Sequence, residues 1–279
     1  MSPKDIVKGI TPPIVLNALR RITNSLGRDT VRFTGNFASW EEADRASTGY
    51  ANPIVLERTR SALLKVKNHE AAFERDSVLF DRIDYPFPLM AGLLRAAAEK
   101  GSSSSLSVLD FGGSLGTTYF QCRSFLPSLR SLRWSIVEQP AHVTCGRSDF
   151  ENDELHFYES IEDCLRVESP NVLLLSSVVQ YLPKPYSFLA EVVRQGFENI
   201  IIDRTPFLSR GFDRLTIQRV PDWIYPAVYP CWFLSEHRFL EQFNGQYDLL
   251  TSFPALDTLQ PDGDEAYFKG YIFKRTNRP

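Results

Sequence analysis

An acid, a run of glycines and a second acid one strand later are the residues of this sequence best placed to do chemistry. Val108-Leu109-Asp110-Phe111-Gly112-Gly113-Ser114-Leu115-Gly116 reads as a strand breaking into a tight turn, and residues 117–125 read as the helix after it. Such a unit aims backbone N–H groups at a ligand. Gly112, Gly113 and Gly116 fit positions where a Cβ would block close approach or forbid a positive φ. A plain chain reversal would also satisfy this turn, but Asp110 narrows the choice. It stands immediately before the turn, where a site facing the pyrophosphate of a nicotinamide cofactor has no use for a carboxylate. A carboxylate there suits a cofactor ending in a cationic amino acid. Glu138 closes the next apolar run, about 20 residues on, where an acid accepts hydrogen bonds from both hydroxyls of a ribose. Its alternative is a solvated strand end.

The elements that must hold these residues divide into two rhythms. Residues 1–100 carry helical signals. Ile14, Val15, Ala18, Leu19 and Ile22 recur at helical spacing behind Pro12-Pro13. Ser39-Trp40-Glu41-Glu42 has the form of a capping box. A helix is predicted over 53–75, with Ile54, Leu64 and Phe73 facing inward, and another over 89–100. Gly101-Ser102-Ser103-Ser104-Ser105 marks the compositional break. The predicted organisation is therefore a helical extension over 1–100 and a second domain over 101–279. In the latter, apolar β-branched runs at 107–111, 134–138, 155–158, 172–176 and 199–203 alternate with helical stretches such as 186–195. That pattern predicts a doubly wound, Rossmann-like α/β fold with a mainly parallel sheet covered on both faces. Two final runs, 247–254 and 266–274, flank a turn at Pro261-Asp262-Gly263-Asp264 and read as an antiparallel hairpin. Residues 207–234 show no period. A segment of that length, holding Trp223, Tyr225, Tyr229 and Trp232, reads as a lid over an acceptor site. Its aromatics suit stacking on a sugar ring and packing against the N-terminal helices equally.

Asp110-x-Gly112-x-x-x-Gly116, Glu138 and the terminal hairpin resemble the class I S-adenosylmethionine-dependent methyltransferases, although Ser114 replaces the middle glycine of the usual loop. A closer resemblance is to a family of inferred methyltransferases from bacterial surface-polysaccharide gene clusters. It is carried by Phe33-Thr34-Gly35, Ser39-Trp40, Gly49-Tyr50, Asp110-Phe111-Gly112-Gly113 and Val137-Glu138-Gln139. Further along it is carried by Ser176-Ser177-Val178-Val179-Gln180-Tyr181-Leu182, Ile202-Asp203-Arg204-Thr205-Pro206-Phe207 and Tyr229-Pro230. The resemblance implies S-adenosylmethionine as cofactor and places the turn after residue 176 along its methionine part. Ser177 and Gln180 would contact it there, with helix capping the alternative for Ser177. Tyr181 would point toward the reacting methyl or serve as packing. Methyl transfer needs alignment of nucleophile and methyl with water excluded, and a hydroxyl acceptor gains from a general base. Asp203, at a strand end, is the first candidate for that base and His237, behind a Ser235 cap, the second. His69, His142 and His156 read as structural. Arg204 suits an acidic group on the substrate or a neighbouring carboxylate.

Composition bounds the partners. With 279 residues, 43% apolar, 23% charged and a net charge of −3, the chain reads as globular and does not read as a nucleic-acid binder, which needs a basic face. Its four cysteines show no metal-binding spacing and Met1-Ser2-Pro3-Lys4-Asp5 starts no signal peptide, so reduced thiols, a cytoplasmic location and no metal are expected. Lys4, Lys8, Arg20, Arg21, Arg28 and Arg32 outnumber Asp5 and Asp29. With the stripe at 14–22, they suit peripheral contact with the inner membrane face or an amphipathic helix packed on the core. The sequence thus favours methylation of a carbohydrate or other small hydroxylated acceptor. Its alternatives are a non-catalytic scaffold of the same fold and a nicotinamide-dependent oxidoreductase, the latter disfavoured by Asp110 and by the lack of a Tyr-x-x-x-Lys pair.

Overall fold

The computed structural model describes residues 30–276 apart from 50–52, 102–103, 127–128, 256 and 258. Residues from Arg32 onward form one compact unit. The apolar stripe at 14–22 and the basic side chains before Arg32 lie outside the described residues. The first elements are strand β1 (Arg32–Thr34) and helix α1 (Trp40–Arg45). The predicted capping box starts α1: the Ser39 hydroxyl accepts from the Glu42 N–H at 3.3 Å, and the Glu42 carboxylate accepts from the Ala38 N–H at 3.0 Å. Helix α2 (Pro53–Lys67) ends well before 75, and His69 turns the chain at φ +63°. Phe73–Arg75 instead forms β2, paired antiparallel with β3 (Val78–Phe80) across Asp76 and Ser77, both at positive φ. Phe73 is buried from a strand, which corrects the longer helix expected there. Helix α3 (Phe87–Ala98) comes next and seats Leu89, Met90 and Leu93 in the same core as the main sheet. Residues 32–100 therefore contribute strands as well as helices, and Leu63 of α2 with the buried face of α3 shares a core with the parallel strands.

The alternating region comprises β4 (Ser105–Phe111), α4 (Thr117–Arg123), β5 (Ser131–Val137), α5 (Pro140–Asp149), β6 (Leu155–Tyr158), α6 (Ile161–Leu165), β7 (Val172–Ser176), α7 (Pro185–Gln195) and β8 (Asn199–Leu208). A hairpin of β9 (Arg214–Val220) and β10 (Ala227–Phe233) comes next, then α8 (Glu236–Glu241), β11 (Tyr247–Pro254) and β12 (Ala266–Arg275). The seven-stranded sheet has the order β11-β12-β8-β7-β4-β5-β6. Strands β6, β5, β4, β7 and β8 are parallel, while β12 runs antiparallel between β8 and β11. The expected fold and terminal hairpin are both present. Period-two alternation builds the two faces. Val172 and Leu174 of β7 enter the core beneath α3, α4 and α5. Leu173 and Leu175 enter the opposite core with Leu189 and Val192 of α7 and Phe239 of α8.

The segment 207–234 is not an irregular lid. Its first residues prolong β8, and β9 and β10 join β1 in a separate antiparallel sheet of order β1-β9-β10. Tyr225 and Tyr229 are buried there with Val55 of α2, whereas Trp223 is exposed. The buried aromatics thus pack, in part, against the N-terminal helices.

Candidate functional site

The order of strands reverses at β4, and ligands of doubly wound sheets gather beyond the carboxyl ends at such a point. Here left-handed backbone falls at three residues other than glycine: Ser114 after β4 at φ +53°, Ser177 after β7 at φ +55°, and Arg204 in the interior of β8 at φ +55°. Such conformations cost energy and cluster at functional sites. The Ser177 N–H donates to the Asp203 carbonyl at 3.0 Å, so the turn after β7 and the kink in β8 are joined.

Asp110 ends its strand only 1% exposed. One carboxylate oxygen accepts from the Trp134 indole N–H at 3.0 Å, and Oδ1 is buried without a partner. Burial pushes this carboxyl up to about 7; the Trp134 N–H opposes the shift and Glu138 adds to it. A Cβ on Gly113 would stand 2.6 Å from the Asp110 carboxyl, and one on Gly112 2.4 Å from Val178 Cγ2. These two glycines are therefore required by the loop folding down on its own strand and on the turn after β7. Close approach of a ligand, the reason read from the sequence, is not needed to explain them. Gly116, at φ +107°, is the N-cap of α4. Ser114 holds the conformation a glycine would take, with its hydroxyl buried and unpartnered. Glu138 lies just past β5, half-buried, and its carboxylate accepts from the Gln139 N–H at 2.7 Å.

A cavity of about 280 Å³ is walled by Ser176, Asp203 and Arg204 of the sheet, by Thr117 and Gln121 of α4, and by Arg75 of β2; of the predicted site residues Asp203 lines it, while Asp110, the glycines of the turn, Glu138, Ser177 and Gln180 do not. Tyr85, Phe87 and Phe253 add apolar wall and Asp84 a further carboxylate. Asp203 is 6% exposed and accepts from the Arg204 N–H at 2.9 Å. Burial raises its carboxyl above the usual range, against the pull of Arg204. The Arg204 guanidinium is taken up by Asp257, with N–O distances of 2.8 and 3.3 Å. Of the two readings of Arg204, the neighbouring carboxylate is the partner seen. Glu74, on β2, is fully buried; it accepts from the Thr117 hydroxyl and from the Ser77 N–H at 3.1 Å, and burial pushes it up to about 7.

The remaining candidates separate. Gln180 is buried and donates to the Ser177 hydroxyl at 3.1 Å and the Arg204 carbonyl at 3.2 Å, leaving its Oε1 without a partner. Ser177 and Gln180 thus brace the turn after β7 against the left-handed residue inside β8. The Tyr181 hydroxyl does not face the cavity: it donates to Gln218 of β9 at 2.8 Å, and its ring meets Tyr229 edge-on. Burial raises that hydroxyl well above its ordinary range, and its bonding ties the small sheet to the large one. His237 is also misplaced as a base. Its side chain is 81% exposed on α8, 3.5 Å from Glu241, because the buried face of that helix is given to Phe239. His156 is held between Glu151 and Arg133, as a structural histidine would be. Sequence reasoning missed Trp134, Glu74 and Arg75. The register of β4 on β5 is what brings Trp134 to Asp110, and the other two sat in a predicted helix. Among the described residues no group of His, Cys, Asp and Glu is placed to hold a metal, and no helix is long and apolar enough to cross a membrane.

No protein-family model matches the sequence, and no curated protein matches it. The fold is similar to solved structures at low identity. The LepI complex with S-adenosylmethionine is 12% identical with a TM-score of 0.45 over 66% of this chain, which spans 46% of that one. The N-terminal domain of EvdMO1, with S-adenosylhomocysteine and D-fucose, is 13% identical with a TM-score of 0.45, covering 78% of this chain and 97% of that one. An S-adenosylmethionine-dependent methyltransferase from Clostridium acetobutylicum ATCC 824 is 10% identical with a TM-score of 0.41, covering 77% and 98%. These likenesses are distant, and function rests on the residues of the site itself.

Proposed function

We propose that this chain is an S-adenosylmethionine-dependent methyltransferase acting on a hydroxyl of a carbohydrate or another small acceptor. The observation that carries the reading is the Asp110 carboxyl, buried at the carboxyl end of the first parallel strand with one oxygen left unpartnered under a glycine turn. A buried acid of this kind is costly for the fold and fits a cationic ligand group that would restore its charge. Asp110 and the turn at 112–116 would hold the amino-acid end of the cofactor, and Glu138, half-buried one strand away, would accept from the ribose hydroxyls. When bound, S-adenosylmethionine supplies a methyl group already activated by its sulfonium. The protein's own tasks are then orientation, exclusion of water and removal of one proton. Asp203 is the residue in position for the last of these: it is nearly buried, raised in pKa, and lines the cavity beside Thr117. A base poised closer to neutrality is more effective at accepting a hydroxyl proton during transfer.

Calorimetry with S-adenosylmethionine, S-adenosylhomocysteine and NAD tests the reading. The first two are expected to bind with micromolar-order affinity, roughly 8 kcal/mol, and NAD not at all. NAD binding as tight as S-adenosylmethionine would replace this reading with an oxidoreductase.

A further inference from the structure

The geometry points to Arg75 as the residue that binds an oxyanion of the ligand in this cavity, a carboxylate or phosphate on a molecule that also carries hydrogen-bond donors. Two guanidinium groups line the cavity, and they are differently placed. Arg204 is held in a two-pronged ion pair by Asp257. Arg75 is half-buried with its guanidinium 5.5 Å from the Phe73 ring centre, and among the described residues it makes no ion pair and no side-chain hydrogen bond. Burial and the nearby Arg204 both work against its charge, while Asp257, Asp76 and Asp84 balance it only at longer range.

A half-buried cation whose one close partner is an aromatic face, with no ion pair and no hydrogen bond, is expensive. A planar fork of donors is the group best matched to a carboxylate or phosphate. The hairpin also fixes where that fork sits. Its two-residue turn is closed by Glu74, which anchors to the Ser77 N–H and to Thr117 at the start of α4, so Arg75 is presented from a braced element. The acids on the same wall set the second requirement. Asp84 and Asp203 are acceptors facing the space that Arg75 faces, so a bare anion would meet repulsion there. An acid carrying an ammonium or hydroxyl beside it would meet neither an unpaired donor nor an unpaired acceptor. Two ligands have that chemistry: the amino-acid end of the cofactor, which rests on the methyltransferase reading, and an acidic hydroxylated acceptor such as a sugar acid. The competing account is that Arg75 only packs on Phe73.

The test compares two ligand pairs by titration calorimetry, with weak sugar binding followed by NMR. S-adenosylhomocysteine is paired with 5′-methylthioadenosine, which lacks the amino-acid end, and glucuronate is paired with glucose. The natural protein is expected to prefer the acidic member of at least one pair by about tenfold or more, as for hydrogen bonds to charged groups. Arg75→Gln should abolish that preference, and Arg75→Lys, which keeps the charge but loses the fork, should reduce it several-fold. Loss in the first pair assigns the oxyanion to the cofactor, and loss in the second assigns it to the acceptor. A natural protein with no preference in either pair, or a folded Arg75→Gln that keeps it, overturns the proposal. Should the glutamine variant fail to fold, an unchanged preference in Arg75→Lys overturns it equally. Failure of the methyltransferase reading looks different: neither nucleoside would bind at all.

Discussion

Replacing Asp110 with asparagine removes one ionisable proton while leaving an oxygen to accept the Trp134 N–H bond of 3.0 Å. The effect on stability comes from the carboxyl being held at about 7 instead of its ordinary 3.8. An acid raised on folding contributes stability that is fully present below 3.8 and is lost as pH climbs through about 7. At 1.36 kcal/mol per pH unit, holding the carboxyl at about 7 costs the fold roughly 4 kcal/mol by pH 8, where it is forced to ionise in its buried site, and about 2 kcal/mol at pH 5, where it stays protonated while the unfolded chain's carboxyl ionises. Asp110→Asn should therefore be more stable than the natural protein, by a margin that widens from pH 5 to pH 8. For a chain of this size the gain at pH 8 corresponds to a melting temperature higher by about 10 °C. The same variant should bind S-adenosylhomocysteine more weakly by about 1.5–3 kcal/mol, the range for hydrogen bonds to a charged group. Affinity of the natural protein should fall as pH drops below about 7, since the proton must leave before a cation can be paired. Urea titrations at pH 5, 6.5 and 8, with calorimetry at each, measure both quantities. A margin that does not change with pH would show that burial does not hold the carboxyl up. A stabilised variant with undiminished affinity would detach Asp110 from the ligand.

Three further outcomes are expected. Glu138→Ala should weaken S-adenosylhomocysteine binding by about 1–3 kcal/mol with the fold intact, and unchanged affinity would show that this acid does not hold the ribose. Asp203→Asn should lower the rate of conversion of S-adenosylmethionine to S-adenosylhomocysteine by about 10²–10⁴ with little change in cofactor affinity; full turnover with a lowered melting temperature would give the residue to structure. Gly112→Ala puts a Cβ 2.4 Å from Val178 Cγ2 at φ +72°, and chemical denaturation should record a loss of about 1–3 kcal/mol, a value near zero meaning that the turn yields easily.

The parallel strands were legible because each carries an unbroken or alternating apolar run between turn signals, as in Val172–Ser176. The small sheet was not, and its residues show why. β10 carries Pro230 in its interior, which ordinarily argues against a strand and is tolerated here because β10 is an edge. β9 buries Thr216 and Gln218, so its inward face is polar and its alternation is masked. Helix α2 stops short of its expected end because the chain leaves it through His69 in left-handed backbone, where a glycine or asparagine would have announced the stop. In the site, Asp110 and Glu138 stand at the strand ends their positions implied. For Tyr181 and His237 place in the chain was the only guide, and side-chain direction decides against both: one hydroxyl turns to Gln218 and the imidazole turns to solvent.

The pairing of β1 with β9 also sets a clock on synthesis of the chain. Phe33 lies opposite Gln218, and at roughly 5–20 residues per second a ribosome needs about 10–40 s to make the stretch between them. The seven-stranded sheet waits longer still, since its penultimate position is filled by β12, the last strand to emerge. Until then β8 presents the edge that β12 will cover, and its Phe207 lacks the Tyr267 and Tyr271 rings that later pack against it. From the synthesis of β8 until β12 emerges, the nascent chain thus carries a strand paired with β7 on one side and uncovered on the other, and the non-local pairing of β12, not local helix formation, closes the sheet.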